Sequence, residues 1–376
     1  MNYKLEGTPN SPVLIFSNSL GSETMMWDEF IPHLLPYFRV LRYDTRGHGN
    51  NQNDDIQHQF SIADLGQDVV DLMDKLDIGK AYFCGLSMGG LIGQWLGINH
   101  PNRFKKFVLI NTAAKIGNSE TWNTRIKNIN EQGLESIIEG TLERWFTAKF
   151  RAENPQKVAQ TKAMFLRSNL AGYSACCAAI RDADFTENSK NLNLETLVIT
   201  GDEDPVTNVE QAEFLVKNIP NAQIKILHAR HLSATELPKD FAHILIDFFV
   251  GNETSAKGMH VRRTVLGDAH VDKANAKINS LNVDFQEFIT KYAWGETWTR
   301  PNLSKHNRSL ITLSMLIALN RPAEFKMHIK AAINNGVSVD EIKEVIMQSA
   351  IYCGLPAAND ALHLTEEVLN DLGIAI

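Results

Sequence analysis

Cysteine is scarce in this sequence: Cys84, Cys176, Cys177 and Cys353 are the only four in 376 residues. None shows the paired spacing of a zinc site or a disulfide framework. Adjacent Cys176 and Cys177 would need a strained ring to join, so small buried thiols are expected. Basic clusters are missing as well. Lys and Arg total 37 against 44 Asp and Glu, a formal charge of −7, which argues against a nucleic-acid partner. No apolar run reaches the ~20 residues of a membrane span, and the start, Met1 to Glu6, lacks the apolar core of a signal peptide. A cytoplasmic protein without membrane contact is expected. No metal-ligand spacing, cofactor motif or internal repeat is visible, so neither metal nor cofactor is expected.

What is present divides in two, as the length suggests. Up to residue 110, short apolar runs alternate with helical periodicity. Residues 13–17, 38–43, 81–84 and 107–110 suit buried parallel strands, and residues 64–76 place Leu65, Val69, Leu72, Met73 and Leu76 on one helical face. Two further strands are expected at 196–200 and 224–227. Between them, residues 114–190 read as helices rich in polar and aromatic residues, which is the pattern of a lid over a sheet edge. The first domain is expected over 1–250 and a small, polar, glycine-bounded linker over 251–258. An all-α domain is expected over 259–376, with helices at 274–293, 309–319, 324–334, 340–352 and 357–372. In that half Ser338 and Glu341 read as a capping box, and Tyr352 as core.

Gly85-Leu-Ser-Met-Gly89 directly follows the strand at 81–84 and opens a helical run. This is a nucleophile-elbow pattern: a tight strand-to-helix turn with small residues two positions either side lifts the serine hydroxyl clear of the sheet. Ser87 is therefore the expected nucleophile. A serine is weak at neutral pH and needs a base held by a third group. On this scaffold the acid and then the histidine follow later strands. Asp204 in Gly201-Asp-Glu-Asp-Pro and His231 in His228-Ala-Arg-His fit that order. Asp202 and Glu203 compete for the acid's role, and His228 and His48 for the base's. The oxyanion needs two backbone donors, and the expected ones are the N–H of Met88 and that of Leu20 in Asn18-Ser-Leu-Gly21.

The segments Ser17-Asn-Ser-Leu-Gly21, Leu41-Arg-Tyr-Asp-Thr-Arg-Gly-His-Gly49, Phe83-Cys-Gly-Leu-Ser-Met-Gly-Gly-Leu, Gly172-Tyr-Ser-Ala-Cys-Cys-Ala-Ala-Ile-Arg-Asp182 and His231-Leu-Ser233 resemble 3-oxoadipate enol-lactonase, a branch of the α/β hydrolases. The resemblance runs over residues 10–250. It implies an α/β-hydrolase fold, a mostly parallel sheet with a helical lid, and a lactone substrate; the residues alone imply only acyl transfer to water. Many relatives carry His-Gly where this chain has Asn18-Ser19.

In the second half, Val261-Arg-Arg-Thr-Val-Leu-Gly-Asp-Ala-His-Val271, Tyr292-Ala-Trp-Gly-Glu-Thr-Trp-Thr-Arg-Pro301, Arg308-Ser-Leu-Ile-Thr-Leu313 and Glu344-Val-Ile-Met-Gln-Ser-Ala-Ile-Tyr-Cys-Gly-Leu-Pro356 resemble 4-carboxymuconolactone decarboxylase. That implies the helical fold shared with alkylhydroperoxidase-D-type thiol peroxidases. Arg321 and Glu324 stand where those peroxidases carry cysteines, so thiol peroxidase chemistry is not expected, whereas His328 stands where they carry a histidine. Decarboxylation of such a lactone needs no cofactor, since the ring double bond passes electrons to the lactone carbonyl. It needs cations for two carboxylates and a proton donor for carbon. Arg300 and Arg308 are the expected substrate-binding groups and His328 the expected acid.

The product of the second reaction is the substrate of the first. The chain thus reads as a bifunctional enzyme acting on small-molecule lactones and assembling as a homo-oligomer through its helical half. The rival reading is a generic esterase or lactonase carrying an inactive helical oligomerisation module.

Overall fold

A computed structural model of the chain describes residues 1–9, 11–51, 59–250 and 254–374. These form two compact units, Met1–Phe249 and Val250–Ile376.

The first unit is built on a seven-stranded sheet: β1 (Tyr3–Glu6), β2 (Val13–Ser17), β3 (Arg39–Tyr43), β4 (Ala81–Leu86), β5 (Phe104–Ile110), β6 (Glu195–Gly201) and β7 (Ala222–Leu227). Their order is β1-β3-β2-β4-β5-β6-β7. Only β1 runs antiparallel, against β3. This edge strand is half polar and escapes an apolar-run search. All six residues of β4 are buried, because helices cover both faces of a parallel sheet and leave no polar side to the strand. Helix Met88–Asn99 follows β4 directly, and helix Ile62–Lys75 packs on it. Ser61 and Asp64 close a capping box at the start of Ile62–Lys75.

The expected insertion is helical. Ser119–Gln132, Ile138–Trp145, Ala148–Glu153, Pro155–Leu166 and Leu170–Asp182 lie between β5 and β6.

In the second unit the described residues are helical, but with different divisions from those expected. A single helix over 274–293 does not form. Asp268–Asn275 ends early, Val283–Phe288 starts afresh, and Ile289–Thr297 is a π-helix. Asparagine side chains explain the break: the Asn279 N–H donates to Asn282 Oδ1, and Asn282 Nδ2 donates to the Lys277 carbonyl. Such local bonds compete with the helix ladder. Lys305–Ala318, Pro322–Asn334, Val339–Cys353 and Leu355–Asp371 complete the unit. Their core is Leu313, Phe325, Ile329, Ile342, Ile346 and Val368.

Of the expected linker, residues 251–253 lie outside the described residues, and Gly258 belongs to helix Thr254–Leu266. That glycine is a packing residue. A Cβ there would lie 1.9 Å from the Thr290 carbonyl oxygen, so its absence lets the helix settle against the π-helix. Two other expectations are corrected. Tyr352 is 81% exposed rather than core, because it lies on the outer face of helix Val339–Cys353. Cys353, at the end of that helix, is exposed, whereas Cys84, Cys176 and Cys177 are buried thiols.

Candidate active sites

Ser87 sits between β4 and helix Met88–Asn99 at φ 57°, ψ −111°, a strained conformation for a residue with a side chain. Two glycines make the turn possible. A Cβ on Gly85 would lie 2.1 Å from the Gly89 carbonyl oxygen, and one on Gly89 would lie 2.2 Å from that of Ser17. The turn is pinned by Ser87 N–H to the Ile110 carbonyl at 2.8 Å and by Thr112 Oγ1 to the Ser87 carbonyl at 2.8 Å. Met88 is the first residue of its helix, where a backbone N–H has no acceptor within the helix.

Asp204 and His231 come together from the ends of β6 and β7, with Asp204 Oδ2 2.8 Å from His231 Nδ1. The same oxygen accepts from Thr207 Oγ1 at 2.7 Å and Asn111 Nδ2 at 2.9 Å, while Oδ1 accepts from the Val206 N–H at 2.8 Å. Burial pushes the Asp204 carboxyl up, but His231 and these donors outweigh it and hold the group below the usual carboxylate range. The carboxylate stays charged and fixes the proton of His231 on Nδ1, leaving Nε2 as an acceptor. Ser87 and His231 line one cavity with Leu20. Of the competitors, His228 is exposed and bound to Asp202 at 3.0 Å.

His48 has another task. It is fully buried, and its Nε2 accepts the Gly21 N–H at 2.9 Å while Nδ1 lies 3.0 Å from the Arg46 carbonyl. The ring therefore carries its proton on Nδ1 and buttresses the loop that bears Leu20. Burial lowers its pKa and keeps it neutral. Asn18 completes the loop: its Nδ2 donates to the Tyr43 carbonyl at 2.8 Å and its Oδ1 accepts from Trp27 Nε1 at 2.6 Å.

Sequence reasoning missed the lid's contribution. The cavity over Ser87 is also lined by Trp122, Arg125, Thr141, Arg144, Trp145 and Tyr173. Arg125 Nε donates to the Tyr173 hydroxyl at 3.0 Å, and Arg125 and Arg144 share Thr141 Oγ1 at 3.3 and 3.0 Å. Burial, then repulsion from Arg125, lowers the Arg144 pKa. Two guanidiniums facing one cavity are arranged to receive an anion. The signal in the sequence was Arg144 beside Trp145, and Arg125 three residues after Trp122, in a helical insertion. The cavity measures about 50 Å³, below the ~300 Å³ of an ordinary ligand pocket.

In the helical unit, His328 lies on helix Pro322–Asn334 with a buried Nδ1 that finds no partner among the described residues. Burial, followed by the charge of His270, lowers its pKa to about 4 against a smaller opposing effect of Glu324. The ring is neutral at physiological pH, so it acts as an acid only after taking up a proton. Arg300 is exposed, and Arg308 Nη2 donates to the Arg300 carbonyl at 3.1 Å. No hydrogen bond among the described residues joins either arginine to His328. Glu341 closes the expected capping box with Ser338 and also meets His306.

Comparison with known proteins supports both halves. Residues 12–236 match the alpha/beta hydrolase fold family, and residues 284–367 match the carboxymuconolactone decarboxylase family. The chain is 40% identical to 3-oxoadipate enol-lactonase 2 of Acinetobacter baylyi over 65% of its own length and 90% of that protein's. It is 51% identical to 4-carboxymuconolactone decarboxylase of the same organism over 32% of its own length and 89% of that protein's. An enol-lactonase structure from Burkholderia xenovorans superposes with a TM-score of 0.64 at 36% identity, covering 66% of this chain and 95% of that one. The chain therefore belongs to the alpha/beta hydrolase family through its first unit and to the carboxymuconolactone decarboxylase family through its second.

Proposed function

We propose that the helical unit decarboxylates 4-carboxymuconolactone and that the first unit hydrolyses the resulting 3-oxoadipate enol-lactone to 3-oxoadipate. The observation carrying the hydrolase reading is the Asp204–His231 contact at 2.8 Å, whose histidine lines one cavity with Ser87, Arg125 and Arg144.

In this reading His231 Nε2 takes the Ser87 proton as Oγ attacks the lactone carbonyl. The Met88 and Leu20 N–H groups stabilise the oxyanion, while Arg125 and Arg144 hold the substrate's carboxylate. Collapse breaks the ring C–O bond. His231 protonates the leaving enol oxygen, which relaxes to the ketone, and water then cleaves the acyl-serine by the reverse proton path. In the helical unit, loss of CO2 sends its electron pair through the ring double bond to the lactone carbonyl. A proton then returns to the carbon beside that carbonyl, and His328 is the group nominated to deliver it.

The apolar surface of the helical unit supports homo-oligomerisation: Leu281, Ile351 and Leu355 are 93%, 79% and 73% exposed, an unusual loss of burial unless a second copy covers them. Four unpaired cysteines accord with a cytoplasmic location. The test is to supply carboxymuconolactone to the purified chain and follow CO2 release and ring opening together. Ring opening of supplied enol-lactone without CO2 release from its precursor would leave only the lactonase reading.

A further inference from the structure

The helical unit contains a buried cation that no described group of the chain neutralises. Arg262, on helix Thr254–Leu266, is 5% exposed. Its Nη1 and Nη2 meet two neutral acceptors, Thr290 Oγ1 at 3.3 Å and Gln286 Oε1 at 3.0 Å, and its Nε has no partner among the described residues. Among the described residues no carboxylate pairs with it. Its neighbour Arg263, 8% exposed, shows the ordinary arrangement, with Asp268 at 3.1 Å and Asp272 at 2.8 Å. Removing a guanidinium from water without a counter-ion is costly, and burial followed by repulsion from Arg263 lowers the Arg262 pKa.

Arg262 lines a cleft of about 340 Å³ whose walls include Met259, Ile278 and Val283, a size suited to a small ring. The cleft also holds Asn275, whose buried Oδ1 lacks a partner among the described residues, while Glu287 is exposed. Thr290 belongs to the π-helix Ile289–Thr297, a wide coil that recurs at functional sites. His270 is within electrostatic reach of both Arg262 and His328.

We infer that this cleft binds an anionic lactone, with Arg262 as the anchor for one of its carboxylates and the apolar walls against the ring. The assignment rests on the decarboxylase reading and puts Arg262, 5% exposed, ahead of the exposed Arg300 and the half-buried Arg308 as the principal carboxylate contact. A charge-assisted pair with a carboxylate supplies the missing counter-ion when substrate arrives.

The test uses the full chain, Arg262→Gln and Arg262→Lys. For CO2 release from carboxymuconolactone we expect Arg262→Gln to raise KM about 10–100-fold, Arg262→Lys to lie between, and ring opening of supplied enol-lactone to stay unchanged. Without ligand, Arg262→Gln should melt at the same temperature as the parent or higher, because an uncompensated buried charge has gone. Glutarate, a plain dicarboxylate, should raise the melting temperature of the parent more than that of Arg262→Gln. If the parent releases no CO2, the decarboxylase reading fails, while the glutarate difference still decides the anion site. An unchanged KM together with an unchanged glutarate response overturns the inference. So does a variant that melts lower, dissociates by light scattering and keeps its KM, since Arg262 would then be pairing across subunits.

Discussion

Asp204→Asn tests the hydrolase site at its most constrained atom. In the parent, Asp204 Oδ2 accepts three hydrogen bonds, from His231, Thr207 and Asn111 at 2.8, 2.7 and 2.9 Å. Asparagine matches the shape but must turn its NH2 either toward those donors or toward the backbone N–H of Val206, which donates to Oδ1 at 2.8 Å. With NH2 facing His231, the imidazole keeps that contact only by moving its proton to Nε2, and Nε2 then cannot accept the Ser87 proton. Losing the productive tautomer costs about 10⁴-fold in kcat, roughly 5 kcal/mol of transition-state stabilisation. The assay is ring opening of enol-lactone, with CO2 release from carboxymuconolactone on the same preparation as the control for a folded chain. Asp202→Asn, on an exposed neighbour, should change little. A variant at position 204 that keeps more than about a tenth of parental kcat, against the ~10⁴-fold loss expected, would refute the tautomer argument and restore Asp202 or Glu203 as the acid.

Three other perturbations have defined outcomes. Arg144→Ala or Arg125→Gln should raise KM for enol-lactone about 10–100-fold while sparing turnover of an uncharged ester; equal loss on both would mean the arginines only shape the lid. Light scattering should show an assembly that Ile351→Glu with Leu355→Glu breaks apart, and a monomeric parent contradicts the buried-face argument. His328 should make stability depend on pH. Its folded pKa of about 4 lies below the ordinary 6.5, so its contribution is present above 6.5 and is lost as pH falls toward 4, up to about 3 kcal/mol. Melting curves should show that slope in the parent and a flatter one in His328→Leu; identical slopes would mean the ring is not held neutral.

The hydrolase elbow was readable because its determinants are local: a β-strand, a turn that needs glycine at 85 and 89, and a helix. Asp204 and His231 were readable because each follows a strand in a fixed order. The lid arginines were not, since Arg125 and Arg144 converge on Thr141 and Tyr173 only through tertiary packing. Periodicity alone gave one helix across 274–293, because it does not weigh the side-chain bonds by which Asn279 and Asn282 stop a helix. Tyr352 read as core for a related reason: apolar spacing marks a face that seeks burial, not whether its cover comes from the same chain. Arg262 was visible inside a quoted motif, but its role depends on which arginine finds an aspartate. Arg263 does so through Asp268 and Asp272, and among the described residues Arg262 does not.

The central claim is that one chain carries two chemically separate sites acting in sequence. The most direct measurement is the product of Ser87→Ala supplied with carboxymuconolactone, identified by mass spectrometry alongside CO2 evolution. The account predicts CO2 release at the parental rate and accumulation of unopened enol-lactone. A folded Ser87→Ala protein that releases no CO2, or that still forms 3-oxoadipate at the parental rate, would contradict it.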